Sequence, residues 1–222
     1  MDNDKIIWNF LKTRGFNDYA VAGIMGNMKA ESGLRSNNLQ GSYEKAFNLT
    51  DEEYTDKVDK NVYTNFVHDS AGYGLCQWTY WSRKASLYNW CKTNKCSIGD
   101  IYMQLSFFFI ELVGTYASVY KKLQTVTSVR EASDLILLKF EKPKDQSEKV
   151  QIKRAEYGQK YFDKFSKLKD TEITTPSIDD IAKDVIAGKY GNGAERKQKL
   201  ADAGYDYATV QNRVNEMLRK EN

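Results

Sequence analysis

Apolar residues recur at helical spacing along most of the chain. Ile6, Ile7, Phe10 and Leu11 share one face of a segment over residues 4–15, and Gly15 closes it. Asn17 or Asp18 can cap a second helix, which runs through Tyr19 and Met28 to Ser32 and stops at Gly33. Over residues 35–70 the periodicity lapses. That stretch is polar and rich in Asn and Asp, and predicts an irregular lobe with room for one short hairpin. Helical spacing returns near Gln77–Trp90, is strong over Ile101–Tyr120, and recurs at 128–141 and 149–168. A short polar, Thr-rich stretch then carries Pro176 and predicts a linker over 168–176. Beyond it, Ile178, Ile181, Val185, Ile186, Leu200, Val210, Val214 and Leu218 are spaced for three short helices, with Gly188, Gly191, Gly193 and Gly204 as turns. The pattern therefore predicts two domains, 1–167 and 177–222, in a mostly α architecture. The second, at about 45 residues, is near the lower limit for unaided folding.

Composition narrows the function classes. A net charge of +3 is too weak to argue for nucleic acid, although a mildly basic surface would be drawn to a polyanionic cell wall. Aromatic residues make up 13% of the chain, with 15 tyrosines, which suits sugar contact as well as a plain core. Three cysteines, Cys76, Cys91 and Cys96, are an odd count and predict reduced, packed thiols, with a Cys91–Cys96 bridge as the alternative. A single histidine, His68, and no CxxC pair give no basis for zinc, so neither metal nor cofactor is expected. The start, MDNDKIIWNFLK, lacks the features of a signal peptide, and the cluster at Ile101–Val113 is too short and polar to span a membrane. The expectation is a monomer made in a cytoplasm, without a membrane partner, and delivered by some other agent if it acts outside.

The candidate chemistry starts at Glu31. Ile24, Met28 and Glu31 lie at i, i+4 and i+7, so the carboxyl extends an apolar stripe. It also sits in the last turn, at the negative end of the helix dipole. Burial and that dipole both favour the protonated form, and a protonated carboxyl near neutral pH is what a general acid requires. The alternative is a solvated glutamate at a frayed helix end. The second island is GYGLCQWTYWSR, residues 72–83. Its glycines allow close backbone approach, Gln77 offers an amide, Trp78, Tyr80 and Trp81 offer flat faces to sugar rings, and Arg83 could hold an acidic group. The alternative here is a turn followed by an aromatic core helix.

Together, ESGL at 31–34 and GYGLCQW at 72–78 resemble the lysozyme and transglycosylase superfamily, and most nearly the phage tail lysozyme family. The resemblance runs from about residue 3 to 166 and includes GFNDYAVAGIMGN at 15–27, QLSFFFIEL at 104–112, FEKP at 140–143 and Arg154-Ala155. It implies a lysozyme-like α+β fold and a domain that cleaves peptidoglycan glycan strands. Glu31 matches the catalytic acid, which would protonate the oxygen between N-acetylmuramic acid and N-acetylglucosamine. Ser32, Tyr73, Gly74, Gln77, Trp78 and Arg83 match the sugar-lining positions. A second carboxylate would come from Glu44, Asp51, Glu52, Glu53, Asp56, Asp59 or Asp69, with Asp69 and Glu44 foremost. A transglycosylase would need none, because the substrate's own 6-hydroxyl replaces water. Glu111 is expected to pair with an arginine, Arg154 being the obvious candidate.

The tail, GKYGNGAERKQKLADAGYDYATVQNRVN at 188–215, resembles the CW_7 cell-wall-binding repeat, which implies a three-helix bundle that recognises a muropeptide. Gly193, Arg196, Tyr205 and Tyr207 are the residues expected to bind the wall. The whole then reads as a phage or prophage endolysin of a Gram-positive host, released through a holin. A lytic transglycosylase, a tail-associated lysin and a non-catalytic wall-binding protein are the alternatives.

Overall fold

A computed structural model describes residues 3–167, 178–202, 205 and 207–220. The chain divides into two compact units, 1–167 and 168–222, and each is taken by itself. The linker expected at 168–176 lies outside the described residues.

In the first unit the second helix carries the most packing against other helices. Helix α1 spans Asn3–Thr13 and α2 spans Asp18–Ser32. The Asn17 side chain accepts from the amide of Ala20 to start α2, and Gly33, at φ 66°, ends it in the left-handed conformation with its N–H on the Lys29 carbonyl. All residues from Ala20 to Met28 are buried, so α2 is a central helix and not a surface one with a single apolar stripe. Two helices from the end of the unit cover it: α8 (Val129–Ile136) and α9 (Glu148–Phe165).

Small residues permit that approach. A methyl group at Gly23 would lie 2.5 Å from Ala132 Cβ, and one at Gly26 only 2.3 Å from the Arg154 carbonyl oxygen. Gly158 of α9 faces back, its absent Cβ 2.7 Å from the Ala22 carbonyl. Gly26→Ala would force α2 and α9 apart, because backbone cannot swing aside as a side chain can. The expected cost is about 1–3 kcal/mol, read as a lower midpoint in urea unfolding with an unchanged slope.

The polar lobe carries no hairpin. It holds α3 (Gly41–Phe47) and α4 (Asp51–Asp59). Among the described residues there is no strand, only isolated backbone bridges joining Leu39 to Tyr73 and Tyr73 to Trp78. Thr50 and Glu53 form a reciprocal capping box that starts α4 in a sequence otherwise poor in periodicity. Tyr54, buried on α4, packs against the rings of Tyr63, Phe66 and Tyr73, and Phe66 packs against Tyr73, an aromatic core for the lobe.

Three further helices complete the unit: α5 (Trp81–Asn94), α6 (Ile101–Val113) and α7 (Ala117–Leu123). The strong periodicity over 101–120 is thus two helices, parted at Gly114. After Ile136 the chain widens into a π-helical turn, Leu137–Glu141, ended by Lys142 at φ 49°. The three cysteines are free. Among the described residues no helix is long and apolar enough to cross a membrane.

In the second unit α10 (Ile178–Ile186), α11 (Gly193–Asp202) and α12 (Tyr207–Lys220) surround Ile181, Ala182, Val185, Leu200, Val210 and Val214. Arg213 grips Asp179 through two hydrogen bonds of 2.7 Å, tying α12 to the start of α10. Ile186 and Leu218, which share the apolar spacing, are exposed at the helix ends.

Candidate active site

The end of α2 and the 72–78 turn are fastened together at Ser32. Its hydroxyl lies 3.1 Å from the carbonyl oxygens of both Met28 and Leu75, and the residue is buried. The turn itself is held by Gln104, whose Oε1 accepts from Leu75 N–H at 2.9 Å and whose amide nitrogen reaches the Ser36 and Ile98 carbonyls. Gly74, at φ 73°, lies against that amide: a Cβ there would come 2.5 Å from Gln104 Oε1. Gln77 is also held at positive φ, 45°, unusual for a residue with a side chain. Its amide nitrogen donates to the carbonyls of Asn38 and Gly74.

Glu31 sits one residue before Ser32 with its side chain 18% exposed. Arg154 Nη1 of α9 lies 2.6 Å from Glu31 Oε1. That oxygen is buried and has no hydrogen-bond partner, so the contact is an ion pair without hydrogen-bond geometry. The same Arg154 nitrogen donates to Asn27 Oδ1 at 3.1 Å. Asn27 in turn donates to the carbonyls of Gly23 and Ser133. A chain of contacts from α8 through α2 to α9 therefore fixes the guanidinium opposite Glu31.

A second carboxyl belongs to this centre, and it is Glu141, the last residue of the π-helical turn. Burial first, and then the neighbouring Glu31 charge, push its pKa up to about 8, against the opposing pull of Arg83 and Arg154. Its Oε1 is buried and has no hydrogen-bond partner. The Cys76 thiol, held protonated by burial, lies beside it. The FEKP stretch at 140–143 marks this glutamate in the sequence without giving it a role. Periodicity could not find it, because a π turn shifts the side chains away from α-helical spacing.

Several expected site residues have structural duties. Asp69 is buried: Lys84 Nζ, Tyr54, Tyr63 and the Ala71 amide all donate to its oxygens. It has no lone pair left for water or sugar, so Asp69 serves as a strut of the aromatic lobe. Glu44 is half-buried on α3, whose N-terminal Gln40 accepts from Gly72 N–H, so that helix abuts the 72–78 turn. Tyr73 is fully buried with its hydroxyl 2.6 Å from Thr55 Oγ1 and offers no face to a ligand. Trp78 is fully buried too, and its indole N–H donates to Glu111 at 2.8 Å. Arg83 makes a two-pronged bond to Glu111, at 2.7 and 2.8 Å, and lies over the Phe140 ring. Glu111 thus pairs with an arginine as expected, but with Arg83 and not Arg154. The aromatic faces left open are Tyr80 and Trp81, 64% and 53% exposed, with His68 stacked on Trp81.

In the second unit Tyr205 and Tyr207 are partly buried and pack on the bundle core. Arg196 donates to the Gly191 carbonyl, to Asn192 Oδ1 and to Gln211 Oε1, so its guanidinium closes the loop before α11 onto α12. Gly193, at φ 55°, has open space where a side chain would stand. Of the four expected wall contacts, Gly193 presents free surface, and the other three are engaged within the unit.

Comparison with known proteins agrees with this layout. The phage tail lysozyme family model matches residues 2–165, about three quarters of the chain. The chain belongs to the phage tail lysozyme family. The CW_7 repeat model matches residues 179–218. A lysozyme of Streptococcus phage Cp-7 is 42% identical over 70 residues, which cover 28% of this chain and 20% of that protein. The chain thus spans about a fifth of the length of that curated relative.

Proposed function

We propose that this chain is an endolysin that hydrolyses the glycan strand of bacterial peptidoglycan, at the bond from N-acetylmuramic acid to N-acetylglucosamine. The observation that carries the reading is Glu31, a partly exposed carboxyl at the end of a buried helix, fastened through Ser32 to the Gly74–Gln77 turn and backed by a second carboxyl, Glu141. A pair of carboxyls is the usual equipment for glycoside cleavage, and burial raises the pKa of Glu141. Glu31 acts as the acid on the glycosidic oxygen. Gln77 and the open rings of Tyr80 and Trp81 suit a polysaccharide, which has polar edges and C–H faces. The CW_7 unit holds the enzyme on the wall, most simply through a muropeptide, and tethering raises the local substrate concentration without new contacts in the cleavage site. The protein works as a monomer at a Gram-positive wall, reached from the host cytoplasm through a holin.

Two carboxyls favour hydrolysis over transglycosylation, which needs one. Digestion of Gram-positive sacculi in oxygen-labelled water tests this. Label is expected at new reducing muramic ends. Unlabelled 1,6-anhydro ends would establish the transglycosylase, and label at glucosamine ends would establish a glucosaminidase.

A further inference from the structure

Glu31 stands in an ion pair, which is an arrangement for a carboxylate, yet an acid must hold a proton. The surroundings of Glu141 answer that need. Its charge is felt by Glu31 of α2, Arg83 of α5 and Arg154 of α9, and the Cys76 thiol bonds to it; Arg154 is itself paired with Glu31, and Arg83 lies over the ring of Phe140, the residue before Glu141. Lys139 and Lys142 on its own turn are exposed to solvent. Glu111 lies behind Arg83 and neutralises it. The backbone around Glu141 is irregular in two ways, a π-helical turn and a left-handed Lys142, both of which cost stability and recur where a side chain must be aimed. Glu31 Oε1 and Glu141 Oε1 are both buried acceptors without a hydrogen-bond donor.

Resting on the lysozyme reading above, we propose that Glu141 is a positioning residue that supplies to Glu31, and later recovers, the proton used in cleavage. In the free enzyme Glu141, its pKa raised by burial, stores that proton. Glu31 gives that proton to the glycosidic oxygen as the bond to the anomeric carbon breaks. The pair is then a dianion facing Arg83 and Arg154. Water adds its oxygen to the anomeric carbon and returns one proton to the pair, so atoms and charge balance over the turnover.

Glu141→Gln tests this in the full chain. A glutamine keeps the shape but neither stores nor releases a proton. Cleavage of sacculi at pH 7 is expected to fall about 100-fold, mainly in kcat. The alkaline limb of the wild-type pH profile, near pH 8, is expected to move to lower pH. Stability gives a second reading. The unfolded carboxyl ionises near its ordinary value while the folded one stays protonated to about pH 8, so wild type loses stability as pH rises through that window. Glu141→Gln is therefore expected to raise Tm at pH 8 and leave it unchanged at pH 4, whereas loss of a merely structural contact would lower Tm at both. Glu141→Asp is expected to recover part of kcat. Wild-type kcat and pH profile in the glutamine variant would overturn the proposal. So would a Tm that falls at pH 8. Should wild type cut no sacculi, the lysozyme reading fails. The pairing is then still decided by Tm against pH and by the infrared band of a protonated carboxyl at pH 7, expected in wild type and absent in Glu141→Gln.

Discussion

Glu31→Gln is expected to slow wall cleavage by about 10²–10⁴-fold while the protein stays folded. The amide keeps the volume of the carboxyl, so α2 and the Ser32 link to Leu75 are undisturbed. What it removes is the proton to be given and the charge opposite Arg154. Because Arg154 also donates to Asn27, its guanidinium keeps one partner, and the loss of stability stays small. Turbidity clearing of sacculi measures the rate, and thermal unfolding checks the fold. A variant that clears walls at the wild-type rate would remove Glu31 from the chemistry.

The largest structural effect is expected at Asp69→Ala. The change strands the ammonium of Lys84, a side chain with no exposure, which keeps only the Ala71 carbonyl and the Phe66 ring as partners. Desolvation already pulls the Lys84 pKa below its usual value, and Asp69 is what opposes that pull. Tyr54 and Tyr63 lose their shared acceptor at the same stroke. Breaking a buried pair from one side costs about 3–5 kcal/mol, enough to unfold the lobe beside the Gln77 turn. Lys84→Met with Asp69→Ala together is expected to be less damaging than Asp69→Ala alone, since no charge is then stranded. Urea unfolding of the three variants measures the difference. An Asp69→Ala protein as stable as wild type would free Asp69 for a role at the substrate.

These two residues mark what could be read from the amino-acid pattern. The place of Glu31 in the last turn of α2 was legible because the helical spacing before it and the Gly33 stop are local signals. The caps of α2 were legible for the same reason. The sequence also showed an acidic lobe but not which carboxyl in it was buried, since Asp69 acquires its partners from residues as distant as Tyr54 and Lys84. The aromatic run at 78–81 illustrates the same limit. Trp78 turns inward to Glu111 while Tyr80 and Trp81 stay open, and period alone does not decide between them at a turn. Glu141 was hidden by a π turn, whose side chains break the 3.6-residue register. The CW_7 motif was plain, yet three of its four chosen contacts turned out to be engaged in the unit's own packing and loop closure, because tyrosine and arginine serve a small core as readily as a ligand.

The central claim is that this chain cuts glycan strands with Glu31. Purified Gram-positive sacculi, digested with wild type and with Glu31→Gln, and their soluble products weighed by mass spectrometry, test it most directly. The expected result is muropeptides with reducing N-acetylmuramic ends from wild type and none from the variant. The same reducing ends from both proteins, or two different wall types left intact by wild type, would contradict it.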